Sequence, residues 1–234
     1  MRLLRNLVIL LVVVLALAVA ADRIGVHVVQ NKAADRLNGR FLLTSKPSVS
    51  INGFPFLTQV ASGTFEDVVL AAPTGRVQAQ GDDLALSHLA VELRGVKPRD
   101  NYSHASAESV SGSFVLSYGD VNKLMGDDHT SIAYGGKGSD GNGRVKFTTT
   151  RTLFGQQRHI TGTAGLVVGK SGSSIASSGV KLNGAPIPII SDLVAQQLTV
   201  NRSFSGLPGG VRLQTVDPEA DGVHVGFTGT NLTL

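Results

Sequence analysis

The sequence contains no cysteine and no tryptophan, and it has few aromatic or charged residues. The absence of cysteine excludes a disulfide framework and metal sites built on thiolates. It does not indicate a cytosolic protein, because many exported bacterial proteins also lack cysteine. Charged residues make up only 16% of the 234 residues, whereas there are 28 glycines. This composition is typical of many strands and turns, and it argues against a long disordered region.

The sequence also lacks runs of basic residues. The net charge of +4 falls to +2 without Arg2 and Arg5, so the rest of the chain is only mildly basic. Binding to nucleic acid needs a basic patch or stripe, and we therefore expect no nucleic-acid partner. A weak attraction to the anionic headgroups of a membrane surface remains compatible with this charge.

The N-terminus has the pattern of a targeting segment. Arg2 and Arg5 precede an uninterrupted run of fifteen apolar residues, Leu7 to Ala21, and Ala18-Val19-Ala20 supplies small residues at the spacing of a cleavage site. A spanning helix needs about 20 apolar residues, so the run is short for a permanent anchor. Residues 1–20 are thus either a cleaved signal peptide or a retained signal-anchor. Both alternatives predict export, with residues 21–234 as a single domain in the periplasm or cell envelope.

Two periodicities follow the apolar run. Val26, Val29, Ala33 and Leu37 recur at three- and four-residue spacing, which predicts an amphipathic helix from Asp22 to Leu37. From about Val49 onward a period of two dominates, as in antiparallel sheets with one wet face. The alternation changes register within one such stretch, and a β-bulge near Ser87 and His88 would correct it.

Two further helices are predicted among the strands, Tyr118–Met125 and Pro188–Leu198. The fold class that these patterns indicate is α+β and β-rich, with long curved antiparallel strands and a few packed helices.

The motifs that resemble catalytic or cofactor sites lack the structural context that such sites need. Gly136 to Gly141 matches the glycine pattern of dinucleotide-binding loops, but a strand pattern follows it, so we predict a hairpin turn. The segment from Gly169 to Gly179 predicts a turn or hairpin loop. No histidine pair has metal-ligand spacing, and Asp127-Asp128-His129 is typical of a solvated loop. We therefore predict no enzyme activity, no cofactor and no metal site.

The most informative stretch runs from Ile51 to Val68. It contains an Asn-Gly turn signal and the apolar group Phe54, Phe56 and Leu57, which Pro55 stiffens. We expect Phe54 and Phe56 to be buried beside this turn, with the chain reopening into a strand at Gly63. The group is either a core plug that closes one end of a sheet or a hydrophobic lip beside a lipid pocket.

This stretch also carries a family resemblance. Gly53-Phe-Pro-Phe-Leu-Thr-Gln59, followed by Ser-Gly-Thr-Phe at Ser62, resembles the signature of the actinobacterial LmeA-like phospholipid-binding family. The order of parts agrees, as do Leu207-Pro-Gly-Gly-Val211 and Asp221-Gly-Val223, so that the resemblance covers roughly Ala21 to Leu234. It implies an envelope protein with an elongated, TULIP-like lipid-binding fold.

Three classes of function compete on these observations. The first, which the resemblance favours, is a phospholipid-binding protein that holds acyl chains in an apolar cavity and supports lipoglycan or envelope-lipid assembly. The second is an envelope enzyme, and the third is a ligand-free structural or interaction module. The predicted lipid-binding residues are Phe54, Phe56 and Leu57 near an opening and Ile189, Ile190, Leu193 and Val194 along the wall. The oligomeric state and the lipid headgroup are left open.

Overall fold

The computed structural model of the protein describes residues 2–37, 43, 45–79, 82–99, 104–125, 129–153, 156–183, 201–204 and 207–233. The elements in these ranges are, in chain order, α1 (Arg2–Leu37), β1 (Ser48–Asn52), α2 (Phe56–Ser62), β2 (Phe65–Ala79), β3 (Asp82–Arg99), β4 (His104–Leu116), α3 (Tyr118–Met125), β5 (Thr130–Lys137), β6 (Gly143–Leu153), β7 (Gln156–Val168), β8 (Ser174–Asn183), β9 (Asn201–Ser203), β10 (Val211–Glu219) and β11 (Gly222–Thr233).

The strands form two sheets in which neighbouring strands pair antiparallel. The first sheet has the order β1-β2-β3-β4-β11-β10 and the second has the order β5-β6-β7-β8-β9. The helix α3 connects β4 of the first sheet to β5 of the second, and β10 packs against β5, β6 and β7. The α+β, β-rich class with a few packed helices is therefore confirmed.

The helix α1 is longer than the predicted Asp22–Leu37 helix, because it runs without a break from Arg2 through the Asp22-Arg23 pair. Its predicted apolar face is confirmed, since Val26 is buried and Val29 is half-buried against the first sheet. The apolar N-terminal part makes no such contact, and Ile9 through Leu17 expose their large side chains. By length and composition alone, Ile9–Leu37 is a candidate membrane-spanning helix.

Local features of the sheets follow the period-two pattern. The pairing of β3 with β4 shifts register between Ser87 and Ala90, and His88 has a positive φ of 53°, so the predicted bulge is confirmed. The predicted turn at Gly136–Gly141 joins β5 to β6 as a hairpin, in which the Gly138 N–H donates to the Asn142 carbonyl. Of the predicted Gly169–Gly179 loop only the beginning is a turn, because β8 starts at Ser174.

The helix α3 occupies the predicted residues, Tyr118–Met125, and a capping interaction fixes its start. Ser117 is the N-cap: its Oγ accepts the Asp120 N–H at 3.1 Å and donates to the Asp120 carboxylate at 2.6 Å. The Asn122 side chain bonds both the N–H and the carbonyl of Ile132, which ties α3 to β5.

Among the described residues, the apolar interior consists of three clusters that share side chains. The first lies around Leu84, Phe114 and Val225, the second around Phe56 and Phe65 below α1, and the third around Phe147 in the second sheet. Phe227 packs against both the first and the second cluster, and the first and third share the side chains Tyr118, Val121 and Leu166. The interior is therefore continuous from α1 to the second sheet.

Candidate lipid-binding site

The stretch that carries the family signature folds as a turn followed by a short helix, α2, which the sequence did not predict. Pro55 is the N-cap of α2 in an extended conformation, where its fixed φ suits the entry to a helix. Gly63 ends α2 and leads back to a strand, since β2 begins at Phe65. It adopts the left-handed conformation with φ 68°, and its N–H donates to the Val60 carbonyl, which ends the helix.

Phe56 anchors α2 to the interior. Its side chain is 2% exposed and belongs to the cluster that also contains Val26 of α1 and Ile51 of β1. The rings of Phe56 and Phe65 lie 6.0 Å apart with an interplanar angle of 17°, a stacked arrangement. Phe56 is therefore the core plug of the two alternatives that the sequence left open.

Gln59 fixes α2 on its polar side. The residue is buried, its Nε2 donates to the Asn52 carbonyl at 3.0 Å, and its Oε1 accepts the Glu66 N–H at 3.0 Å. The Gln59 amide thus connects β1 and β2, the two strands that flank α2. The position of α2 is determined by this pairing together with the burial of Phe56.

Phe54 and Leu57 face the opposite way from Phe56. The prediction that Phe54 is buried is wrong, because its side chain is 57% exposed, and Leu57 is 48% exposed. Pro55 separates Phe54 from the buried Phe56, so the turn directs the two rings to different sides. The Arg23 guanidinium carbon lies 5.0 Å from the centre of the Phe54 ring, within cation–π distance. The exposed apolar side chains have the placement expected of a lip.

Asp22 joins α1 to α2. It is 2% exposed, and its Oδ1 accepts the backbone N–H of Leu57 at 2.8 Å across a separation of 35 residues. Oδ2 has no hydrogen-bond partner among the described residues. Three residues further along α1, Gly25 lies next to Phe56, since a Cβ there would be at ordinary van der Waals distance, 3.7 Å, from the ring. The end of the apolar N-terminal segment is therefore fixed to the signature motif.

At the other end of the interior, Tyr118 closes the seam between the two sheets. Its hydroxyl donates to the Glu219 carbonyl at 2.7 Å, while the ring packs against the first and third clusters. Burial raises the pKa of Tyr118 to about 12, and nearby acidic groups contribute in the same direction. The side chain therefore stays neutral at physiological pH.

The predicted wall residues cannot be placed. Ile189, Ile190, Leu193 and Val194, with the whole predicted helix Pro188–Leu198, lie outside the described residues. The structure consequently brings together only the N-terminal half of the predicted site, namely Phe54, Phe56 and Leu57. The described strands before and after these residues in the chain, β8 and β9, belong to the second sheet.

One group of possible metal ligands was missed by the sequence reasoning. Glu219, Asp221 and His224 lie at the β10–β11 hairpin, with ligand atoms within 4.8 Å of one another. His224 pairs with Asp221 at 2.9 Å, and this hydrogen bond lowers the pKa of Asp221. Antiparallel pairing of Asp217 with His224 brings these residues together, which spacing alone did not show. The two carboxylates are exposed, and nothing else at the hairpin points to a ligand.

Comparison with known proteins identifies the family. A family model described as LmeA-like phospholipid-binding matches residues 20–228. No curated protein and no solved structure was found to match the chain. The matched range begins next to Asp22, includes α2 and the second sheet, and ends within β11 of the first sheet. The chain therefore belongs to the LmeA-like phospholipid-binding family.

Proposed function

We propose that the protein is a phospholipid-binding protein of the cell envelope that holds acyl chains in its apolar interior and catalyses no reaction. Residues 21–234 act as one lipid-binding domain on the outer side of the cytoplasmic membrane, in support of lipoglycan or envelope-lipid assembly. Family membership supports phospholipid binding. The observation that carries the acyl-chain proposal is the continuity of the interior, from Phe56 through Phe227 to Leu166.

The energetics of this proposal need no specific headgroup contact. Burial of each CH₂ group contributes about 0.8 kcal/mol, so ten shielded carbons contribute about 8 kcal/mol before the costs of association are subtracted. Retention of a lipid through purification is compatible with that figure. The headgroup is then selected weakly, since the apolar clusters offer few polar partners.

In this proposal the two ends of the interior have different roles. Phe54 and Leu57 form the lip of an opening beside α1, and Phe56 is the buried residue behind that lip. Ile189, Ile190, Leu193 and Val194 form part of the wall, on the periodicity that predicts an amphipathic helix at Pro188–Leu198. The match to a lipid-binding family supports a non-catalytic role.

The wall is tested by replacing Leu193 with Asp. A carboxylate that faces an acyl chain loses its hydration without gaining a partner, so we expect Leu193→Asp to abolish co-purifying phospholipid. Val167→Asp is the matched control, because Val167 is 43% exposed on the second sheet. Phospholipid would be measured by mass spectrometry of organic extracts, with circular dichroism to show that both variants are folded. Equal lipid in a folded Leu193→Asp variant and in the control would remove this residue from the wall.

A further inference from the structure

An exposed apolar surface surrounds the junction of α1 and α2. Phe54, Leu57 and Val60 of the signature motif expose 57%, 48% and 40% of their side chains. Ile24 and Val28 of α1 are also exposed, on the side of the helix opposite the buried Val26. We call Phe54, Leu57, Val60 and Ile24 the collar. It follows directly on the exposed apolar segment of α1.

The apolar run of α1 is too short to cross a membrane by itself. Fifteen residues, Leu7–Ala21, rise about 22 Å at 1.5 Å per residue, whereas the hydrocarbon core is about 30 Å thick. With Arg5 at the inner boundary of the hydrocarbon, the outer boundary falls about 20 residues later, near Gly25. Leu57 lies beside that position, since a Cβ on Gly25 would be 3.9 Å from its Cδ2 atom. The collar therefore lies at the depth of the outer boundary, beyond the end of the apolar run of α1.

The two charges at this depth are accommodated in different ways. Asp22 would be costly in contact with lipid, but α2 covers it and supplies the Leu57 N–H as a donor. Arg23 remains exposed beside the Phe54 ring, where its long side chain can extend toward lipid phosphates. This combination suits an anionic membrane interface: the carboxylate of Asp22 is shielded by protein, Arg23 is exposed, and the collar is apolar.

We propose that the collar is embedded in the outer interface of the membrane that α1 crosses, where it extends the apolar belt of α1 and brings the opening of the lipid-binding interior against the outer leaflet. This rests on the proposed function and on residues 1–20 being the retained signal-anchor. Phe56 of α2 is buried, whereas Leu57 of the same helix and Phe54 just before it are exposed, so α2 lies between the leaflet and the interior. A phospholipid then enters without passing through water.

The absence of tryptophan makes a direct test possible. Phe54→Trp and, as a second collar variant, Leu57→Trp place one reporter each at exposed positions, and Val167→Trp is the control on the second sheet. Each full-length chain would be reconstituted into vesicles of phosphatidylcholine and phosphatidylglycerol in a 3:1 ratio, with and without brominated acyl chains. We expect blue-shifted emission from both collar reporters and loss of most of that emission to the bromines near the headgroup, with water-like, unquenched emission from the control.

The contrary outcomes are distinct from one another. Collar reporters with the same water-like, unquenched emission as Val167→Trp overturn the membrane contact. Blue-shifted emission that bromines do not quench shows that protein, such as a second copy of the chain, covers the collar, and it also overturns the proposal. A chain that fails to float with vesicles overturns the placement of α1 together with the collar. Lipid extracted from the same preparations reports separately on the acyl-chain proposal, because a quenched reporter in a lipid-free protein leaves the collar in place.

Discussion

Phe54 and Phe56 flank a single proline and point to opposite sides of the chain. Phe56 is 2% exposed and stacks on Phe65, whereas Phe54 is 57% exposed and lies beside Arg23. The difference in environment gives the two phenylalanines different roles, one in the stability of the fold and the other at its surface.

Truncation of the two rings separates these roles. Phe56→Ala should lower the free energy of unfolding by about 3–5 kcal/mol, because it leaves a cavity between α1 and the first sheet. Phe54→Ala is the matched control and should change stability by less than about 0.5 kcal/mol, since it removes an exposed ring. Urea denaturation followed by circular dichroism measures both values. A Phe56→Ala variant as stable as Phe54→Ala would show that Phe56 is not a core residue.

At the same scale, the sequence predicted which side chains form the motif but not the direction of each one. An apolar group with a central proline is equally compatible with a plug and a lip. The direction depends on Asp22 and Gln59, whose partners are 35 and 7 residues away. Neither polar residue fits a local pattern, so the burial of both became visible only in the folded chain.

Among the elements, α3 connects the two sheets along the chain. It contributes Tyr118 and Val121 to two apolar clusters, and Asn122 bonds the edge of β5. Its start is fixed by Ser117 and Asp120. Burial alone would raise the pKa of Asp120, but hydrogen bonds from Lys123 and Ser117 outweigh it, so the pKa is lowered.

Removal of this cap gives a prediction that depends on pH. Ser117→Ala should destabilise the protein by about 1 kcal/mol at pH 7. A carboxyl with a lowered pKa stabilises the folded state above its unfolded pKa of 3.8, and this contribution is lost as the pH falls through the folded value. The difference in the free energy of unfolding between wild type and Ser117→Ala, the gap, should therefore become smaller in acid. Chemical denaturation at pH 7 and below pH 4 measures it, and a gap that widens in acid would contradict the assigned role of Asp120.

The success of sequence-based prediction differs among the elements for physical reasons. α3 and the strands have enough residues for their apolar period to be recognised, and the register change at Ser87 is visible as an interrupted alternation. α2 has seven residues, fewer than two turns, and several of its side chains are β-branched or small. It is stable because Phe56 and Gln59 are buried by distant parts of the chain, so local propensity did not predict it.

At the scale of the whole molecule, α1 and the two sheets divide the protein into a membrane-compatible segment and a folded part. The period of two predicted antiparallel strands, but the order of strands depends on pairings such as β4 with β11, more than 100 residues apart. Family membership connects this arrangement to phospholipid binding. The placement outside the cytoplasmic membrane is a proposal that rests on Arg5 and the apolar run.

A reporter fusion tests this placement. Residues 1–40 joined to an export-dependent reporter should give activity outside the cytoplasm, because the positive residues before the apolar run direct its orientation. The matched control replaces Leu11 and Leu15 with Asp, which interrupts the run and should keep the reporter inactive. Activity of a cytoplasm-dependent reporter in the same fusion would contradict export.

The central claim is that the interior of this protein holds phospholipid. The most direct measurement is mass spectrometry of the lipid extracted from the full-length protein after purification from its native membrane fraction, with the molar ratio of lipid to protein determined on the same sample. The account predicts co-purifying phospholipid with varied headgroups, because the interior is apolar. A protein that is folded and free of lipid would contradict the account and favour a ligand-free structural module.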